Sequence, residues 1–245
     1  MANEVEREAE RVRAAYKRRA ERGLDARYDY WQPSNLFTYQ SRERALLRLL
    51  RDAGFLSLAG RRVLDVGCGD GGVLRDLLRS GANADDLHGV DLLPSRVERA
   101  RSLTPGASIE VGDGQELPYA AREFDLILGF TLLSSILDPA ARQRVASEMR
   151  RVLKPGGLIV LYDFWINPLN RDVRPLRRSE VRRLFAGCAV AFRGTTLAPP
   201  VARLLAPAPG GWLACSVLEM LPFLRTHFLA SVRPRLSATD TQASE

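Results

Sequence analysis

The stretch VLDVGCGDGG, residues 63–72, decides the fold. A short apolar run carrying one acid, Asp65, gives way to glycines at positions 67, 69, 71 and 72. RRVLDVG (61–67) reads as a buried strand, and GGVLRDLLRSG (71–81) as the helix that follows it. Glycine has no Cβ, so Gly67, Gly69 and Gly71 let the backbone turn sharply and approach a ligand closely. The helix starts at about Gly71, so its free N–H groups point at whatever is bound. A dinucleotide loop follows G-x-G-x-x-G. Here the spacing is Asp65-x-Gly67-x-Gly69-x-Gly71, and an acid before the first glycine repels a pyrophosphate while favouring a cationic amino group.

Working outward, the same alternation repeats. LHGVDLL (87–93), SIEVGD (108–113), FDLILGF (124–130) and LIVLYDF (158–164) read as further strands. PSRVERARSL (94–103) and PAARQRVASEMRRVLKPGG (139–157) read as the helices between them. Strands alternating with helices predict a parallel sheet covered on both faces, with ligands at the carboxyl ends of the strands. Two more acids fall at such ends. Asp91, followed by Leu92, is placed to accept both hydroxyls of a ribose. Asp113, with the backbone of Gly114 and Gln115, is placed to read the amino edge of an adenine. Each has a plainer reading, Asp91 as a cap before Pro94 and Asp113 as a turn residue.

VLDVGCGDGG, GVDLL, GDGQELPY, FDLILGF and RVLKPGGLIVLYD, in this order, resemble the class I S-adenosylmethionine-dependent methyltransferases. The resemblance covers roughly residues 41–165. It implies a Rossmann-like α/β fold: a seven-stranded, mostly parallel sheet with helices on both faces, strand seven antiparallel, and strands six and seven in the C-terminal part. It also implies S-adenosylmethionine as cofactor and S-adenosylhomocysteine as product, with no metal. The glycine loop, Cys68 included, would take the methionine portion, with Asp65 orienting it. Asp91 and Leu92 would take the ribose, Asp113, Gly114 and Gln115 the adenine, and Phe130 would lie at the end of strand four. A narrower likeness, to bacterial methyltransferases of glycan and secondary-metabolite pathways, rests on NLFTYQSRERALLRLL, SSILDP, LYDFWINP, VRRLFAGC, TTLAPPVAR and LPFLRTHFLA.

The expected organisation follows. Residues 1–54 hold a charged helix (3–22), an aromatic lid-like loop (25–40) and an amphipathic helix (41–54) capped by Ser41. Residues 55–235 form the cofactor-binding domain, with substrate-side insertions at about 165–183 and 197–224, and 236–245 form a polar tail. A transferred methyl needs an aligned acceptor and, for a hydroxyl, a base. Strand seven, read as Thr226–Val232, runs antiparallel beside strand five, which places His227 near Asp163 as base and orienting group. His88, at the opposite end of its strand, reads as structural. Tyr28, Tyr30, Trp31, Tyr162, Arg171 and Arg174 are the candidate substrate contacts.

The expected acceptor is a small molecule or glycan, most naturally at a hydroxyl oxygen. Carbon or nitrogen acceptors, and RNA, are the alternatives. The net charge of +7, mostly arginine, is all that speaks for RNA. GFTLLSSILDP, after strand four, lacks the Asn/Asp-Pro-Pro-aromatic stretch common in enzymes that methylate base amino groups. Three separated cysteines make disulfides and a zinc site poor expectations and fit a reducing cytoplasm. The sequence holds neither a signal core nor an 18-residue apolar run. The broken apolar segment 201–224 leaves peripheral membrane contact as an option.

Overall fold

A computed structural model describes residues 2–23, 29–167, 170 and 172–235, with side chains from residue 6 onward. Tyr28, Arg171 and the tail 236–245 lie outside the described residues. Seven strands form one sheet in the order β3-β2-β1-β4-β5-β7-β6. They are β1 (Val63–Val66), β2 (Leu87–Asp91), β3 (Ser108–Val111), β4 (Phe124–Phe130), β5 (Leu153–Phe164), β6 (Cys188–Leu197) and β7 (Arg225–Pro234). Strands β1 to β5 pair in parallel, and β7 runs antiparallel to both β5 and β6. Strand order reverses between β1 and β4, which opens a crevice at their carboxyl ends.

All four residues of β1 are buried, so the strand has no polar face. On one side of the sheet Leu64, Ile127, Leu161 and Phe228 pack with α5 (Pro139–Val152) and α6 (Arg178–Leu184). On the other, Val63, Leu128, Tyr162 and Leu229 meet α2 (Pro33–Asp52), α3 (Gly72–Arg79) and α4 (Pro94–Leu103). A third cluster joins Phe37 of α2 to α7 (Pro199–Leu205) and α8 (Gly211–Glu219), which fill the span between β6 and β7.

Two boundaries differ from the sequence expectation. The segment 33–40 is not loop: α2 runs from Pro33 to Asp52, with Gln32 at its N-cap and Ser41 in its interior. Pro33 pre-sets the first-turn φ, and burial of Phe37 draws the polar stretch around it into the helix. At the other boundary, α5 stops at Val152, and Leu153 already pairs with Phe124. The turn-prone Pro155-Gly156-Gly157 is absorbed as a register irregularity at the start of β5.

Helix α1 (Ala2–Glu21) lies across the carboxyl-end loops. Glu8 accepts the Leu137 N–H at 2.7 Å, and Arg11 donates to the Ser135 carbonyl. Arg18 pairs with Asp172 at 2.8 Å, and Arg96 at the start of α4 sits 4.3 Å from the centroid of the Tyr16 ring. A helix with few apolar residues is thus held by its charges, with Ala9 and Val12 as its buried stripe.

Candidate functional site

The glycine loop takes the conformation its sequence demands. Gly67, Gly69 and Gly71 have φ of 73°, 56° and 76°, in the left-handed region. A Cβ on Gly67 would lie 2.9 Å from Leu132 Cδ1, so a side chain there would strain the left-handed backbone and displace Leu132. The Gly67 and Cys68 amides bond the Val90 carbonyl at 2.7 and 3.1 Å, which ties the loop to β2. Cys68 points inward against Gly89, and burial pushes its thiol up.

The three acids are brought to one crevice and differ in what they hold. Asp91 accepts the Gly69 N–H at 2.9 Å and the Leu93 N–H at 3.0 Å, so it braces the loop, while Leu93, with no side-chain cap bond, is the N-cap of α4. Desolvation raises its carboxyl above the usual range despite those two bonds. Asp113 accepts the backbone and side-chain N–H groups of Gln115 at 2.8 and 3.0 Å, closing the turn around Gly114. Gln115 is held in turn by Arg144 at 2.9 Å. Asp65 is fully buried, and its Oδ1 has no hydrogen-bond partner. Burial pushes its carboxyl up to about 8, against the pull of nearby Arg42. A buried carboxyl whose Oδ1 has no partner among the described residues, beside the glycine loop, is an arrangement that a cationic group would satisfy.

Beyond this crevice lies an aromatic cluster, the wall of a candidate acceptor chamber. Phe130 and Tyr162 lie at the ends of β4 and β5 with ring centroids 5.4 Å apart. His227 of β7 stacks on Tyr162 at 5.0 Å and meets the edge of Phe164 at 5.8 Å. Tyr162 Oη and Thr196 Oγ1 share a hydrogen bond of 2.8 Å, and burial raises the phenol to about 12. Thr196 holds a φ of 64°, rare for a β-branched residue, at the corner where β6 leads towards α7.

The expected partnership of His227 with Asp163 is not formed. The register sets His227 opposite Phe164 and Asp163 opposite Phe228, and successive side chains leave opposite faces of a sheet. Asp163 therefore points to the far side, accepting the Ser134 N–H at 3.1 Å and its neighbour Phe164 N–H at 3.0 Å. Burial lifts it to about 6. His227 keeps Thr226 Oγ1 at 3.0 Å from Nδ1, leaving Nε2 with no partner among the described residues. Desolvation, and then the Arg42 charge, lower its pKa to about 4.

Arg42, which sequence reasoning passed over as part of an amphipathic helix, joins crevice and chamber. Its guanidinium lies 5.3, 5.6 and 5.9 Å from the ring centroids of Tyr39, Phe130 and Tyr162, and 3.5 Å from Asp76. The missed signal was a charge one turn from Leu46, on the face that α2 presents to the sheet.

The remaining substrate candidates fall elsewhere. Tyr30 stacks on Tyr39 at 4.8 Å but is half exposed, and Trp31 is 91% exposed, outside the chamber. The lid-like covering comes from α1 instead. Arg174 is taken by Glu180, which also accepts from the fully buried Arg142 at 2.9 Å, so its charge is spent on fixing the segment after β5. His88 meets Arg62 at 3.2 Å and the edges of Tyr119 and Phe124. Among the described residues no His, Cys, Asp and Glu cluster could hold a metal ion. No described helix is long and apolar enough to cross a membrane.

Comparison with known proteins agrees with this geometry. Residues 63–157 match the family described as "Methyltransferase domain". The chain is 32% identical to the 27-O-demethylrifamycin SV methyltransferase of Amycolatopsis mediterranei, over 60% of this chain and 53% of that one. It is 33% identical to the ubiquinone biosynthesis O-methyltransferase of Azorhizobium caulinodans, over 48% of this chain and 44% of that one. The chain thus spans about half the length of these curated relatives. In fold it is similar to a Thermotoga maritima S-adenosylmethionine-dependent methyltransferase described as a possible histamine N-methyltransferase. That match has a TM-score of 0.61 and 18% identity, and covers 88% of this chain and 98% of that one. Residues 63–157 thus match a methyltransferase-domain family, and the seven-stranded sheet built around them has the fold of solved S-adenosylmethionine-dependent methyltransferases.

Proposed function

We propose that the protein methylates a hydroxyl oxygen of an apolar small molecule, using S-adenosylmethionine. The single observation that carries this reading is the cluster of Phe130, Tyr162, Phe164 and His227 at the strand ends beyond the glycine crevice, whose rings would wall an acceptor chamber. Its walls suit an aromatic or aliphatic acceptor better than a glycan or a charged RNA. The O-methyltransferase names of the rifamycin and ubiquinone relatives support an oxygen acceptor.

In this reading the cofactor supplies an electrophilic methyl on sulfonium. Gly67, Gly69 and Gly71 seat its methionine portion, and Asp65 receives the ammonium. Arg42 faces the carboxylate from above the Phe130 and Tyr162 rings. Asp91 takes the ribose hydroxyls, and Asp113 with Gly114 and Gln115 lines the adenine edge. The cofactor, when bound, would offer its methyl carbon to the acceptor oxygen, with the electron pair of the broken carbon–sulfur bond staying on sulfur. The hydroxyl proton passes to His227 Nε2, the unpartnered nitrogen. With a pKa near 4, His227 is neutral and ready to accept over the working range, but it is a weak base. Alignment and exclusion of water therefore carry more of the rate than proton removal does. Asp163, on the other face, supports the loop after β4 rather than the proton transfer.

The test is to incubate methyl-labelled S-adenosylmethionine with pure protein and fractionated cell extract. Label in the apolar low-mass fraction supports the reading. Label confined to a polar glycan fraction, or to RNA and lost on ribonuclease treatment, refutes the acceptor assignment.

A further inference from the structure

Segment 196–225 has a surface that the core does not explain. In α8 the inward positions Ala214, Cys215, Leu218 and Glu219 pack on α7 and α2, as an ordinary amphipathic helix would. The outward face should then be polar, and it is not. Leu213, Val217 and Met220 stand on it, with Leu204 of α7 and Phe223 of the following turn beside them, all between 55% and 77% exposed. The only hydroxyl on that face, Ser216, is tied back to the Trp212 carbonyl at 2.8 Å. Isolated exposed apolar residues are ordinary, but a contiguous set on one short hairpin of helices is not.

The charges around this patch have one sign. Within 196–225 the charged residues are Arg203, Glu219 and Arg225. Glu219 turns inward to Ser41 Oγ and the Leu197 N–H. Arg44 and Arg48 of α2 are exposed and lie seven and eleven residues after Phe37, on the C-terminal continuation of the helical stripe that α7 and α8 cover at Phe37. With Arg203 on α7 they supply exposed cationic side chains on the elements that carry and flank the apolar face, a combination that suits an anionic lipid interface.

The elements that carry the patch are also tied to the aromatic cluster and to α2. Thr196, which bonds Tyr162, leads directly into α7. Glu219, at the end of α8, holds Ser41, next to Arg42.

We propose that the α7–α8 face docks on an anionic lipid bilayer, with Leu213, Val217, Met220 and Phe223 inserted among the acyl chains and Arg44, Arg48 and Arg203 against the headgroups. That an apolar acceptor then enters the chamber from the bilayer rests on the methyltransferase reading; the docking itself does not.

The experiment is co-sedimentation of the full chain with vesicles of phosphatidylcholine alone or with about a third phosphatidylglycerol. The probe is the vesicle, so no substrate is needed. The expected result is binding to the anionic vesicles that weakens as salt rises. The double variant Leu213→Asp/Phe223→Asp should lose at least about tenfold in partitioning. Arg44→Gln/Arg48→Gln should lose about 25-fold on anionic vesicles, at about fivefold per arginine, and nothing on neutral ones. Retained S-adenosylhomocysteine binding identifies folded variants, and their exposed positions make folding the expectation. Failure of the parent to sediment with anionic vesicles overturns the proposal. A parent that is dimeric in solution, becomes monomeric in Leu213→Asp/Phe223→Asp and ignores vesicles also overturns it, assigning the face to a second copy of the chain. Absence of methyl transfer alongside normal vesicle binding would sink the functional reading and leave the docking intact.

Discussion

Lowering the pH should weaken cofactor binding through one residue. Asp65 is fully buried with an orphaned oxygen, and burial raises its carboxyl from 3.8 to about 8. In the free protein at pH 6.5 it is therefore protonated, whereas in the unfolded chain it is ionised. Between about 4 and 8 the folded state binds the extra proton, so this residue's contribution to stability falls as pH rises through that window. Binding reverses the preference. An ammonium beside Asp65 favours the carboxylate, so binding expels the proton. Each unit of pH below 8 then costs about 1.4 kcal/mol of affinity. Affinity for S-adenosylhomocysteine should rise about tenfold from pH 6 to 7, about fivefold from 7 to 8, and level off above. Titration calorimetry in buffers of different ionisation enthalpy should count close to one proton released at pH 6.5. Asp65→Asn should remove both the release and the slope. A parent affinity that is flat from pH 6 to 8, or the same slope in Asp65→Asn, would refute the assignment of Asp65 to the ammonium.

Asp91→Ala should weaken S-adenosylhomocysteine binding by about 1.5–3 kcal/mol, roughly 10- to 100-fold by calorimetry, because two charge-assisted contacts are lost; unchanged affinity rules out the ribose contact. Gly67→Ala should cost about 1–2 kcal/mol of stability, since it strains a left-handed φ and meets Leu132 at 2.9 Å. A scan should show a melting temperature lower by about 3–8 °C. His227→Gln should cut turnover about 100-fold while leaving cofactor affinity within about twofold; near-normal turnover in the folded variant removes His227 from the mechanism. The parent's rate should also stay flat from pH 5 to 8 as far as His227 is concerned, since its lowered pKa keeps it neutral there.

Local order in the chain is enough to reveal the crevice. The alternation of apolar runs with helical segments points to a parallel sheet, and the glycines at 67, 69 and 71 permit the positive φ that the loop adopts. Asp65, Asp91 and Asp113 sit at strand ends that fall together once the sheet is parallel. What these residues need from one another is short-range, so spacing reveals it.

The chamber depends on contacts distant in sequence, and there the sequence is silent. Placing His227 beside strand five was within reach of strand order. Which face it occupied was not, because a shift of one residue in the β5–β7 register exchanges Asp163 for Phe164 as its neighbour. Arg42 reads locally as one more charge on a helix. Only the packing of α2 against β4 and β5 sets it over Phe130 and Tyr162. The apolar face of α8 is equally mute in one dimension. Burial of Cys215 and exposure of Leu213 differ only in which way the helix is turned, and α2 and α7 decide that. The five parallel strands and the glycine cradle are legible in the chain alone, because both follow from local backbone preference, whereas the last two strands follow only from the family resemblance. The tertiary structure alone decided the chamber and the docking face, because each depends on which side of an element meets its neighbours.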